Sequence, residues 1–238
     1  MHFKALFLGM ALAVGAQATS FTFTDPYAGQ NNNATTNADV IGLLSKFDIE
    51  SVTVSTAAGN AVNIAAKLNY NNGDTSLSSF LNSNGCCSLN IGDMLFSSGT
   101  NKWAVPLISH SGMTAAQLYS VTGFLTAKTV LGDPSGITYR PDAPVWGDGT
   151  GAVKKNAGTG TESVVALAGY EIMVSLSFVA DSSFYNAVNS GQFVLDFAAA
   201  TCGNDVIEGT ATPEPVSMSL VGLGLLCLGV YRRIRRLA

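Results

Sequence analysis

The chain has 238 residues, a formal net charge of −4 and 12% charged residues, against a usual share of about 25%. Between Thr19 and Thr212 it carries seven basic and fifteen acidic side chains, a net charge of −8. Because phosphate binding requires clustered Lys and Arg, this acidic balance predicts that the protein does not bind nucleic acid.

A basic residue and a short apolar run stand at the start of the chain. Lys4 precedes the apolar sequence ALFLGMALAVG at positions 5–15. The run is too short to cross a bilayer, which takes about 20 apolar residues. Ala16-Gln17-Ala18 fits the small-x-small pattern that signal peptidase cleaves. Residues 1–18 are therefore predicted to be a signal peptide for the Sec translocon, leaving Thr19 as the new N-terminus. The alternative is a short N-terminal core helix.

Period-two alternation predicts half-buried strands in the segment that follows. From position 61 to 70 one face carries apolar side chains, namely Val62, Ile64, Ala66, Leu68 and Tyr70. From position 170 to 178 a second apolar face carries Tyr170, Ile172, Val174, Leu176 and Phe178. Asn71-Asn72-Gly73-Asp74 follows the first segment with residues that accept a positive φ, which predicts a turn.

Shorter segments of strand composition are separated by Gly- and Asn-rich turns. The predicted strands are 21–24, 51–56, 93–97, 103–108, 120–126, 136–140, 192–198 and 205–208, and the predicted short helices are 39–47, 114–119 and 181–189. Many short strands at this spacing predict an all-β fold. We expect one domain over residues 19–212, an antiparallel β-sandwich or a jelly-roll-like domain.

Three cysteines lie in this predicted domain: Cys86, Cys87 and Cys202. An oxidising compartment permits disulfides, and an odd number leaves one thiol free or paired between chains. A bond from Cys202 to Cys86 or Cys87 would stabilise the fold by about 4–5 kcal/mol in the chain-entropy model. A vicinal Cys86–Cys87 bond is the alternative. With no Cys-x2-Cys pair and one histidine in the domain, the sequence predicts no metal site and no cofactor.

Each of two polar segments has two interpretations, one as a chemical site and one as ordinary surface structure. His110 lies between Ser109 and Ser111, but no G-x-S-x-G motif accompanies it, which favours a surface or strand-end histidine over a hydrolase site. Asp142 and Asp148 lie in a Gly-rich stretch without EF-hand spacing. That pattern favours a solvated hairpin loop over a Ca²⁺ site.

Trp146 and Tyr139 are the aromatic candidates for a carbohydrate contact. An aromatic face beside polar groups suits an amphipathic ligand such as a sugar ring. Trp146 lies in a Pro- and Gly-rich stretch, where we expect a loop and an exposed ring. Ordinary packing is the alternative, and Trp103 is expected to face the core.

Three parts adjoin one another at the C-terminal end. Pro213-Glu214-Pro215 is followed by the uncharged sequence VSMSLVGLGLLCLGVY at positions 216–231, and then by Arg232, Arg233, Arg235 and Arg236. The uncharged run predicts a transmembrane helix of about 24 Å, and the positive-inside rule keeps the arginines cytoplasmic. The prolines favour extended backbone ahead of the helix, which suits recognition by a protease. A plain single-pass anchor with the same topology is the alternative.

Residues 213–238 resemble the PEP-CTERM sorting signal of Gram-negative bacteria. The resemblance implies transient anchoring in the inner membrane and processing of the tail near Pro213-Glu214-Pro215 by an exosortase, a membrane cysteine protease. It also implies export to the cell surface or extracellular matrix in association with exopolysaccharide. We therefore expect a non-enzymatic structural or adhesive protein. The alternatives are a carbohydrate-binding module and a secreted hydrolase.

Overall fold

The computed structural model describes residues 18–25, 30–31, 40–81, 87–135 and 137–211. The predicted signal peptide up to Gln17, the cysteine at Cys86 and the sorting segment from Pro213 lie outside these residues. Within the described ranges, no helix combines the length and the apolar character needed to cross a bilayer.

Short and medium β-strands make up most of the described chain. In chain order they are β1 (Ser20–Thr24), β2 (Gln30–Asn31), β3 (Val40–Ile41), β4 (Ile49–Ala57), β5 (Ala61–Asn69), β6 (Phe80–Leu81), β7 (Ser88–Leu89), β8 (Met94–Ser98), β9 (Asn101–Val105), β10 (Tyr119–Ser120), β11 (Phe124–Thr126), β12 (Pro144–Gly147), β13 (Val153–Lys154), β14 (Asn156–Ala166), β15 (Glu171–Ala180), β16 (Val194–Ala198) and β17 (Val206–Thr210). The helices are α1 (Leu44–Phe47), α2 (Ala127–Leu131) and α3 (Ser182–Asn189).

Two antiparallel sheets form the body of the molecule. One has five strands in the order β1-β4-β5-β15-β14, and the other has six in the order β13-β10-β9-β8-β16-β17. Four of the nine neighbouring pairs in these two sheets are hairpins: β4–β5, β14–β15, β8–β9 and β16–β17. Small two-stranded sheets, β2–β3, β6–β7 and β11–β12, complete the described strands.

The two sheets share one apolar core. The five-stranded sheet contributes Val52, Val54, Val62, Ile64, Leu68, Ile172, Val174, Leu176 and Phe178. The six-stranded sheet contributes Met94, Phe96, Trp103, Val105, Leu195, Phe197 and Ile207. The core therefore lies between two antiparallel layers, and the prediction of an all-β fold is confirmed.

The two alternating segments form the adjacent strands β5 and β15. All five residues of the first predicted apolar face are buried, and Asn71 and Asn72 in the following turn have φ of 42° and 60°. The second prediction is wrong at one residue, because Tyr170 is 55% exposed. The strand begins at Glu171, so Tyr170 belongs to the turn that precedes it.

The predicted helix 181–189 is confirmed as α3. Its N-cap residue, Asp181, accepts a hydrogen bond from the backbone N–H of Phe184 at 3.0 Å, which satisfies a donor at the helix start. The Phe184 ring meets those of Phe96 and Trp103 edge to face, with centroids 5.1 and 5.3 Å apart. Helix α3 is thus tied to the core, and Trp103 is buried as expected.

Two predicted helices are wrong for identifiable reasons. In segment 39–47, residues Val40–Ile41 form β3, so the helix is confined to α1. In segment 114–119, Ala116 has a φ of 58°, and its N–H donates to the carbonyl of Pro106 at 2.8 Å. A residue in left-handed conformation cannot continue an α-helix.

The predicted strand 136–140 is not a strand over its described residues, 137–140. The backbone N–H of Arg140 donates to the carbonyl of Cys202 at 3.0 Å. Its guanidinium Nη1 donates to the carbonyls of Gly203 and Asn204, both at 2.9 Å. These bonds attach the segment to the turn after β16 instead of to a sheet.

The outer faces of the two sheets differ. Over the six-stranded sheet lie two small apolar clusters, composed of Leu95, Ala104, Met113, Tyr119 and Val121, and of Ala127, Val145 and Ala198. They bring α2, β12 and the segment around Met113 onto this face. On the five-stranded sheet, the outward positions of β4, β5 and β15 are half-buried or exposed.

Candidate functional site

A buried polar cluster lies against the covered face of the six-stranded sheet. It brings together Asp93, immediately before β8, His110, which follows β9, and Trp146 on β12. Asp93 is fully buried, and the His110 side chain is 7% exposed. Because a buried charge is costly unless it is paired and hydrogen-bonded, the partners of Asp93 decide what this cluster can do.

Asp93 has polar contacts with three residues. Its Oδ1 and Oδ2 lie 2.9 and 3.1 Å from His110 Nε2. Its Oδ2 also accepts the backbone N–H of Gly147 at 2.8 Å, while its own N–H donates to the Val145 carbonyl at 2.9 Å. Burial raises the pKa of the Asp93 carboxyl, and the contacts with His110 and with the Gly147 amide oppose that rise. The carboxylate thereby joins β8, β12 and the His110 segment.

The contacts of His110 define its tautomer. A carboxylate only accepts hydrogen bonds, so we assign the imidazole proton to Nε2, which faces Asp93. Nδ1 is then an acceptor, and it is buried without a hydrogen-bond partner among the described residues. In the neutral ring Nδ1 is a buried acceptor without a partner among the described residues, and in a protonated ring the same atom would be a buried donor without one.

The His110 ring also covers one face of Trp146. The two rings are stacked with their centroids 4.0 Å apart and an interplanar angle of 13°. The expected loop around Trp146 is a strand, since β12 pairs with β11 and Leu125 faces Trp146. The indole is therefore held in place by its strand and by His110, and a sugar would have to use its other face.

Tyr139 and Trp146 lie on different sides of β12. Tyr139 packs against the small apolar cluster that contains Val145, and the neighbouring strand residues Val145 and Trp146 point to opposite faces. The Tyr139 hydroxyl donates to Asp133 Oδ1 at 2.5 Å, and this bond is the main reason that the pKa of Tyr139 rises to about 12. The structure does not join the two predicted carbohydrate contacts in one platform.

In the predicted hairpin loop, the carboxylate of Asp148 is hydrogen-bonded locally. Asp148 Oδ1 accepts the backbone N–H of Thr150 at 2.9 Å, and Oδ2 accepts the Thr122 hydroxyl at 3.3 Å. These bonds hold the pKa of Asp148 below its ordinary value. In the described part of the chain, no group of three or more His, Cys, Asp or Glu residues is placed to hold a metal ion.

Ser109 is occupied by a backbone contact. Its Oγ accepts the N–H of Ala115 at 3.0 Å. Ser109 and His110 therefore make different contacts, and the hydrogen-bonding partner of His110 is Asp93, seventeen positions earlier. Sequence reasoning missed Asp93, although a carboxylate beside the apolar run Met94-Leu95-Phe96 is a signal of a buried charge that needs a partner.

Two of the predicted disulfide candidates lie in neighbouring segments. The N–H of Thr201 donates to the Asn90 carbonyl at 2.7 Å, which brings the turn holding Cys202 beside the segment after β7. Burial raises the pKa of the Cys202 thiol to about 12, and the nearby Cys87 adds to that rise. No disulfide joins Cys87 and Cys202 in the structure.

Comparisons with protein families, with curated proteins and with solved structures give no significant match for this chain.

Proposed function

We propose that this chain is an exported protein that a C-terminal sorting signal delivers to the cell surface or extracellular matrix. In this proposal the signal peptide directs residues 19–212 through the Sec translocon, and signal peptidase cleaves after Ala18. The tail from Pro213 holds the protein transiently in the inner membrane until an exosortase processes it. The β-sheet passenger, which we assign to the antiparallel β-sandwich class, then acts as a structural or adhesive component associated with exopolysaccharide.

The observation that carries the proposal is the hydrogen bonding of Thr19 and Ala211, the residues near the two predicted targeting segments. At the start, Thr19 N donates to Thr56 Oγ1 at 3.1 Å, and the Thr19 carbonyl accepts the Thr56 N–H at 2.9 Å. Ala18, directly before it, is exposed. Cleavage after Ala18 would therefore leave every one of these contacts in place, including the donor role of the new N-terminal amine.

The residue near the predicted C-terminal sorting segment is also held by the domain. Ala211 is buried, and its N–H donates to the Phe193 carbonyl at 2.9 Å. Pro213 follows two positions later and begins the predicted sorting segment. The first and last strands also meet, since the Phe23 ring lies against Gly209.

The sorting step can be tested by removing the tail. A stop codon in place of Pro213 should release the passenger without a membrane-bound stage, whereas the full-length chain should pass through one. Pulse-labelling followed by separation of membrane and soluble fractions measures this stage. Glu214→Gln is a control that keeps the prolines, the apolar run and the arginines, and it should still become membrane-bound. A full-length chain that never enters the membrane fraction would overturn the proposal.

A further inference from the structure

The outer face of the five-stranded sheet carries a regular array of small polar side chains. Strand register aligns them in two rows that run across all five strands. The first row is Ser20, Ser55, Asn63, Ser177 and Thr161, and the second is Thr22, Thr53, Ala65, Ser175 and Ser163. We call this set the hydroxyl face. Neighbouring side chains are about 4.8 Å apart across strands and about 6.7 Å apart between the rows.

The central part of the hydroxyl face is a groove. It has a volume of about 290 Å³ and crosses four strands, β4, β5, β15 and β14. Ala65 lies at its centre between Thr53 and Ser175, so a methyl group stands where the flanking strands carry hydroxyls. The volume is near the lower end of the range for ligand sites, about 300 Å³, which suits a short stretch of an extended chain.

The groove offers hydrogen-bonding groups that the described part of the chain does not use. Ser55, Ser175 and Ser177 form no side-chain hydrogen bond with another described residue. A hydroxyl both donates and accepts, and its hydrogen rotates to suit the partner. A ligand that carries many hydroxyls of its own matches this surface.

The charges next to the groove favour an uncharged ligand. Lys67 is the cation of the adjoining row, and its Nζ lies 2.5 Å from Glu50 and 3.1 Å from Glu171. Those two carboxylates satisfy it, so it is not available to an anionic polymer. The two rows themselves contain no charged residue, and the ionisable group among the residues that line the groove is the carboxyl of Glu162 on β14. Burial raises its pKa to about 7, and in its charged form it repels an anionic polymer.

The composition of the hydroxyl face also argues against a protein partner. The centres of protein interfaces are enriched in aromatic residues, Met and Arg, which bury apolar area. Neither row contains such a residue. Serine, threonine and alanine side chains would bury little apolar surface against another protein or against a second copy of this chain.

We infer that the hydroxyl face is a docking surface for an extended, uncharged, hydroxyl-rich polymer, that is, a neutral glycan chain. The inference deepens the proposed function and rests on it, because a matrix protein meets such polymers outside the cell. Hydrogen bonding to the sheet hydroxyls, rather than stacking on Trp146, holds the ligand.

The test is affinity electrophoresis of the full-length chain, purified from cells, in gels that contain a named polymer. Dextran and hydroxyethyl cellulose are the neutral glycans, and alginate is the acidic comparison. The neutral polymers should retard the protein, and alginate should not. Retardation by alginate alone, or by none of the three, would overturn the inference.

Variants then place the site. Ala65→Gln fills the groove and should lower the affinity at least about tenfold, or about 1.4 kcal/mol. Ser175→Ala, a smaller change that keeps the test if the first variant does not fold, should weaken binding in the same direction. Ser97→Ala removes a half-buried hydroxyl from the other sheet and should have no effect.

Two further results would count against the groove. Binding that Ala65→Gln and Ser175→Ala leave intact but Trp146→Ala abolishes would assign the glycan to the indole instead. Self-association of the wild-type chain that Ala65→Gln abolishes would make a second copy the occupant. The sorting experiment uses cell fractionation and needs no glycan, so a failure of sorting and a failure of binding are separate results.

Discussion

The buried carboxylate of Asp93 depends on His110 and on the Gly147 amide. Removing the His110 donor leaves buried carboxyl oxygens without that hydrogen bond, which costs about 1–3 kcal/mol. We therefore expect His110→Ala to lower the free energy of unfolding by about that amount, measured by urea denaturation.

Asp93→Asn provides the matched comparison for this prediction. In the double variant Asp93→Asn/His110→Ala the charge that needs a partner is gone, so its stability should be no lower than that of His110→Ala alone. The losses of stability in the two single variants could instead simply add in the double variant, as they do for two distant and independent sites. That result would show that the contact between Asp93 and His110 does not stabilise the fold.

A second carboxyl, that of Asp196 on β16, links stability to pH. Burial, with a further contribution from Glu208 directly opposite on β17, raises its pKa to about 6. The folded state therefore holds this proton more tightly than the unfolded state, whose pKa is about 3.9. The resulting stabilisation is complete below pH 4 and is lost as the pH rises through about 6.

Asp196→Asn should remove this dependence. We expect the variant to be more stable than the wild type at pH 7, by about 1–2 kcal/mol, and to match it more closely at pH 4. Thermal melts at the two pH values measure the difference. Glu208→Gln should give a smaller change of the same sign, since it removes the secondary cause. An Asp196→Asn variant that is less stable at pH 7 would contradict this account.

At the scale of elements, the segment around β7 and the turn after β16 are joined by two hydrogen bonds between Asn90 and Thr201, one to the Asn90 carbonyl and one to the Thr201 hydroxyl. These contacts place Cys87 near Cys202, which favours this pair over a vicinal Cys86–Cys87 bond. If the protein is exported as proposed, we predict that it contains the Cys87–Cys202 disulfide. Peptide mapping of the unreduced protein measures the pairing, and Cys87→Ser should abolish the cross-link. A Cys86–Cys87 product in the wild type would contradict the prediction.

The elements that sequence predicted well are those with local causes. Alternation specifies β5 and β15 because one face of each strand must be buried, and Asp181 specifies the start of α3 through its own cap. Segment 137–140 failed because its partner, the turn at Cys202, lies over sixty positions away. The link between Asp93 and His110 was missed for a similar reason, since it depends on how β8 and β12 are brought together.

On the scale of the whole molecule, the two sheets share one core but face outwards differently. The six-stranded sheet is covered by α2, β12 and the His110 segment, so its polar cluster is buried. The five-stranded sheet carries the hydroxyl face, and the groove at its centre is open to a ligand. The buried cluster thus holds the fold together, and the open sheet is the surface on which we place recognition.

The measurement that tests the central claim most directly is the intact mass of the mature protein recovered from its native cells. Export predicts a chain that begins at Thr19 and has lost the segment following Pro213-Glu214-Pro215. A product found in the cytosol with Met1 and Ala238 both present would contradict the account.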